Sequence, residues 1–239
     1  IQWLIAVQFC QIVHAANILF LNTWNSKSHG LSMKFLAERL AEKGNDVTIY
    51  SMTAKPLGVM VRGVHTMETV LRPDQRTNEP DSVAAVFWFF EMSPELFEQP
   101  HHVGFQYLNF ALEDEAFQTV MNTSYDLVIA DELFVTAQGA MALKLREKFG
   151  TKFALMTTTD FSSIYGMYRS IGRNPVINPS YYTKSYEVQN YDIHDFFGRL
   201  KTVWDALTEQ YYINLAANFW LKEAGKLLNH SCSFKEIYQ

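Results

Sequence analysis

Cysteine is scarce in this chain. Cys10 and Cys232 are its only two in 239 residues, so no disulfide framework can hold the fold. Runs of basic residues are absent too: 20 Lys and Arg stand against 25 Asp and Glu, for a formal net charge of -5. A nucleic-acid binder needs a basic stripe, and that class is excluded. There is no HExxH, no CxxC and no carboxylate-rich cation loop, so no metal is expected. Ser28 lacks a GxSxG elbow, which leaves a hydrolase triad unsupported. Neither GxGxxG nor a P-loop follows the first apolar strand, so this region is not built to grip a dinucleotide or nucleotide phosphates in the usual way. Internal repeats and low-complexity tracts are also missing.

What the chain does have is apolar and aromatic. Hydrophobic residues make up 48% and aromatics 15%, enough for a sizeable core and for apolar pocket walls. The length suits one α/β unit with helical insertions and is too short for two full Rossmann-type domains. Residues 1–13 are uncharged and largely apolar, and Val13-His14-Ala15 follows as a small-x-small pattern. That reads as a signal-peptide core truncated at its start, too short to span a bilayer; the alternative is a buried first strand or helix. On the first reading residues 1–16 are removed with Cys10, and a mature domain over 17–239 enters the secretory pathway. The sequons Asn122-Thr123-Ser124 and Asn229-His230-Ser231 agree with that compartment and make Asn122 and Asn229 candidate glycosylation sites.

Along the chain, strand and helix alternate. Residues 17–22 (NILFLN) are a short apolar run of the kind buried on both faces of a sheet. After a polar loop over 23–30, Leu31, Phe35, Leu36 and Leu40 recur at helical spacing up to Gly44, which can end the helix in the left-handed region. Strands are expected at 46–51, 64–71, 125–130 and 153–157. Helices are expected over 83–121, broken near Pro94 and Pro100, and over 133–149, ended by Gly150. This alternation predicts a Rossmann-like, doubly wound parallel α/β sheet with helical insertions. Residues 158–192 read as a long loop, and 193–229 as helix with a stripe through Phe197, Leu200, Val203, Trp204 and Leu207.

Doubly wound sheets bind ligands outside the carboxyl ends of their strands. Two polar clusters project there: the loop over 22–30, with Ser28-His29-Gly30 just ahead of the first helix, and Asp131 at the end of the 125–130 strand. An imidazole at a helix N-terminus meets the positive end of the dipole, which disfavours imidazolium and suits a general base. Asp131, ending a neighbouring strand on the same edge, could orient that base. The plainer readings are a solvated His29 and an Asp131 that caps a helix. His101-His102 reads as a surface pair, and Phe87-Trp88-Phe89-Phe90 as core more readily than as ligand wall.

The segment from Asn17 to Ser51 resembles the opening of the eukaryotic UDP-glycosyltransferase family: a strand, Ser28-His29, a helix ending in Lys43-Gly44, then a strand with Val47-Thr48. Tyr125 to Asp131 (YDLVIAD) is similar to that family's strand ending in Asp. More loosely, Asn174-Pro175, Pro179-Ser180-Tyr181 and Phe197 to Arg199 resemble its later segments. The resemblance implies the acceptor-binding, N-terminal half of a GT-B glycosyltransferase. His29 would be the catalytic base and Asp131 its partner, and transfer from UDP-glucuronic acid or UDP-glucose would invert the anomeric carbon without a metal. Acceptors would be small and lipophilic. From their position after a strand end at the crevice, Phe161 and Tyr165 are candidate acceptor-facing residues, with burial as core the alternative. The UDP-sugar domain and a C-terminal membrane anchor in the endoplasmic reticulum would lie outside this sequence, and homo- or hetero-oligomers are compatible with it. Two other readings stay open: a non-catalytic lipophile-binding protein, and a truncated glycosyltransferase that regulates intact relatives.

Overall fold

The structure, a computed structural model, describes residues 15–23, 27–54, 56, 58, 61–72, 98–131, 135–156, 192 and 194–238. Strand β1 (Asn17–Thr23) leads into helix α1 (Lys27–Glu42) and returns as β2 (Asp46–Thr53). Strand β3 (His65–Val70) follows, then helices α2 (Glu98–Ala111) and α3 (Glu115–Asn122). The unit β4 (Leu127–Asp131), α4 (Val135–Phe149) and β5 (Lys152–Met156) comes next, and α5 (Phe196–Leu227) and α6 (Phe234–Tyr238) close the described part.

The five strands form one parallel sheet in the order β3-β2-β1-β4-β5. This is the expected Rossmann-like α/β arrangement. The helix ends also follow the sequence: Gly44 (φ 87°) and Gly150 (φ 73°) take the left-handed conformation that glycine adopts without a Cβ penalty. Asn17 pins the register of β1 on β4 at its start. Its backbone N–H donates to Asp126 Oδ2 at 2.8 Å, and its Nδ2 donates to Ser124 O at 2.8 Å.

Side-chain alternation along the central strands builds two cores. Leu19, Leu21, Tyr50, Val128 and Ala130 face α2 and α4, whereas Ile18, Phe20, Val47, Ile49 and Ile129 face α1 through Met33 and Ala37. Burial of each large aliphatic or aromatic side chain contributes about 1.5–3 kcal/mol. Small residues allow close approach on the first face: a Cβ on Gly104 of α2 would lie 3.6 Å from Ala137 Cβ of α4.

Several expectations need correction. Helix α1 begins at Lys27, so Ser28 and His29 lie in its first turn rather than in a loop before it. Pro100 is the third residue of α2, where no intrahelical bond needs its N–H, and whether helix precedes Glu98 lies outside the described residues. A break that was not expected falls at 112–114, where Asp114 caps α3 by accepting from Ala116 N (3.0 Å) and Phe117 N (3.2 Å). On α5 the stripe shares one face as expected, yet Phe197, Leu200, Trp204 and Leu207 are exposed and the helix is anchored through Leu221 and Ala224 near its other end. Periodicity reports which residues share a face, not what covers it. The helix α6 was not anticipated at all. Expectations for residues 1–14, Pro94, the Phe87 to Phe90 run and the long loop over 158–191 fall on positions outside the described residues.

Candidate active site

In this strand order β1 lies between β2 and β4, and the chain leaves β1 and β4 toward opposite faces. Helix α1 packs on one side through Met33 and Ala37, and α4 packs on the other through Val135, Ala140 and Met141. The carboxyl edge at such a switch point is where open α/β sheets hold ligands.

Asp131 and the His29 turn both lie at that edge. Leu21 pairs with Ala130 across β1 and β4, so the next residues along, Asn22 and Asp131, end side by side at the carboxyl edge. Asp131 is fully buried, and its backbone N–H donates to Gln138 Oε1 of α4 at 2.5 Å. Its side chain follows Leu127 and Ile129 in alternation and therefore belongs to the α1 face of the sheet. His29 lies in the first turn of α1, one residue before Gly30. A Cβ placed on Gly30 would come within 3.1 Å of Asn22 Nδ2, so this turn sits directly over the end of β1. The backbone thus brings the His29 turn and Asp131 to one edge and one face; the His29 side chain itself lies outside the described set, as do Phe161 and Tyr165.

The other nominated residues sit elsewhere. Asn122 is exposed at the end of α3, where its Nδ2 donates to Gln118 O (2.8 Å) and its Oδ1 accepts from Lys148 Nζ (2.6 Å). Asn229 is exposed just beyond α5 in the left-handed conformation, at φ 49°. Asn122 precedes the start of β4 and Asn229 follows α5, so neither lies at the carboxyl edge of β1 and β4.

His101 overturns the expectation of a surface pair. It is buried, and its Nδ1 lies 2.7 Å from Thr136 Oγ1 in the first turn of α4. Burial pushes its pKa down from 6.5 to about 4, so the ring is neutral at pH 7. The signal was present in the sequence: positions 101, 104, 108 and 111 share one helical face, and His101, Gly104, Leu108 and Ala111 are all buried. His102 is half-buried and stacks on Trp220 of α5 with centroids 4.5 Å apart. Asn22 and Gln138, both buried polar residues at the edge, were likewise not singled out. Among the described residues no cluster of His, Cys, Asp and Glu could hold a metal ion, and no helix is long and apolar enough to cross a membrane.

No protein-family model matches the chain, and no curated protein matches it significantly. Among solved structures it is similar to the crystal structure of CalG4, the calicheamicin glycosyltransferase, with 16% identity and a TM-score of 0.36. That match covers 80% of this chain and 44% of the other, so this chain spans less than half the length of that protein.

Proposed function

We propose that this chain is the acceptor-binding domain of an inverting, UDP-sugar-dependent glycosyltransferase acting on hydroxyls of small lipophilic molecules. The observation that carries the reading is the strand order, which sets the His29-bearing turn and Asp131 at one switch-point edge, on one face of the sheet. The resemblance of residues 17–51 and 125–131 to the UDP-glycosyltransferases supports it.

In this reading His29 takes the proton from the acceptor hydroxyl. The resulting oxygen nucleophile attacks the anomeric carbon, and the bond from that carbon to UDP breaks with its electron pair leaving on UDP. Attack opposite the leaving group inverts the carbon. Asp131 holds the imidazole in orientation and stabilises the imidazolium formed as the proton moves, the role a buried carboxylate plays beside a catalytic histidine. UDP-glucuronic acid or UDP-glucose would be the donor, held by a second Rossmann-like domain across the crevice, and no metal is required. Phe161 and Tyr165 remain nominated for the acceptor side. Residence in the endoplasmic reticulum, membrane anchorage and oligomerisation belong to this proposal as well.

The test is UDP release in a form of the protein that carries the donor domain. His29→Ala is expected to lower turnover by about 100-fold or more, and Asp131→Asn by a comparable factor, with donor affinity retained. Full turnover in His29→Ala would remove His29 as the base, and absence of UDP release from the unaltered protein would leave lipophile binding without catalysis as the better reading.

A further inference from the structure

Beneath the first two turns of α1, between that helix and strands β1 to β3, lies a cavity of about 240 Å³. Its walls are mostly apolar, with Leu31, Ile49 and Val61 among them, and Lys34, Thr66 and Glu68 contribute its polar lining. Asn22 and Ser51, neighbours across β1 and β2, add two buried polar side chains. Asn22 is 2% exposed, and its Oδ1 has no hydrogen-bond partner among the described residues. An unpaired buried carbonyl oxygen is destabilising, and native proteins rarely tolerate one without a reason. Glycine at position 30 keeps the space above the Asn22 amide open, since a Cβ there would crowd Nδ2 at 3.1 Å.

We propose that this cavity is a binding site for a compact apolar molecule carrying one hydroxyl or N–H, which donates its hydrogen bond to Asn22 Oδ1. The walls select the apolar body and the lone carbonyl oxygen selects a donor over an acceptor. Size sets the class. A cavity of about 150 Å³ admits benzene, so this one has room for a substituted phenol or a small bicyclic alcohol. The cavity adjoins the edge proposed for transfer and shares Asn22 and Gly30 with it, but its occupation requires neither His29 nor a sugar donor. Its occupant would brace Gly30 and Leu31, the residues that follow His29 in α1.

The test uses the 239-residue chain without UDP-sugar. Titrations with 4-ethylphenol and 4-ethylanisole are followed by calorimetry and by the methyl resonances of Leu31, Ile49 and Val61. The expected result is saturable binding of the phenol at those methyls, about tenfold tighter than the anisole, which keeps the ring and loses the donor. Asn22→Leu should erase that preference while unfolding cooperatively. Val61→Phe, which fills the cavity, should abolish binding of both. Equal affinity for the two probes in the unaltered protein, or undiminished binding in a folded Val61→Phe, overturns the proposal. Because the readout is binding alone, either result leaves the His29 test of transfer untouched.

Discussion

His101 is buried on α2, facing Thr136, and its pKa lies near 4 in the folded protein against 6.5 for the free side chain. Between those two values the unfolded chain binds a proton that the native protein refuses. Native stability is therefore fully present above about pH 6.5 and is lost as the pH falls toward 4; below that both states are protonated and the dependence flattens. Linkage puts the loss at about 2 kcal/mol by pH 5 and about 3 kcal/mol by pH 4, relative to pH 7.5. For a protein whose whole stability is of order 5–15 kcal/mol, that is a large fraction. The matched variant is His101→Asn, whose amide can face Thr136 from roughly the position of Nδ1 but does not titrate. Urea unfolding followed by circular dichroism at pH 7.5, 5 and 4 gives both stabilities. Carboxylates and the other histidines titrate in both proteins and cancel in the difference. At pH 7.5 the natural protein should be the more stable of the two, and its advantage should shrink by about 3 kcal/mol at pH 4. Parallel pH curves for the two proteins would refute the assignment of a neutral, buried His101.

Three further outcomes are expected. Gly225→Ala should destabilise by about 1–3 kcal/mol in thermal unfolding, because its Cβ would fall 2.5 Å from His230 O and 2.9 Å from Cys232 Sγ, and backbone cannot yield cheaply. Asp114→Ala should cost about 1–2 kcal/mol, since one carboxylate both caps α3 and accepts from Thr69 Oγ1 at 2.6 Å; Thr69→Val in the same background should then add less than it does alone. Expression through a secretory pathway should attach glycans at the exposed Asn122 and Asn229. Asn122→Gln and Asn229→Gln should each remove one amidase-sensitive mobility shift, and an unshifted natural protein would count against the secretory assignment.

The parallel sheet was legible because its evidence is local. Runs such as NILFLN and YDLVIA are apolar on both faces, and the glycines at 44 and 150 end helices for reasons of backbone sterics alone. Elements were placed to within about two residues wherever hydrophobic periodicity was strong. The start of α1 was less legible, because Lys27, Ser28 and His29 carry no apolar period and the first helical turn makes no diagnostic pattern. His101 was misplaced for a different reason: an adjacent pair of histidines suggests a polar surface, and only the packing of α2 on α4 tells one from the other.

Sequence by itself determined the α/β class, the order of the elements and the nomination of His29 and Asp131, since each rests on neighbours a few residues away. The tertiary structure decided the strand order, hence the switch point that brings the His29 turn and Asp131 to one edge, the burial of His101 and the cavity under α1. Those depend on contacts between residues as far apart as Leu21 and Ala130. Such contacts come from the joint packing of both sheet faces, which no local periodicity encodes.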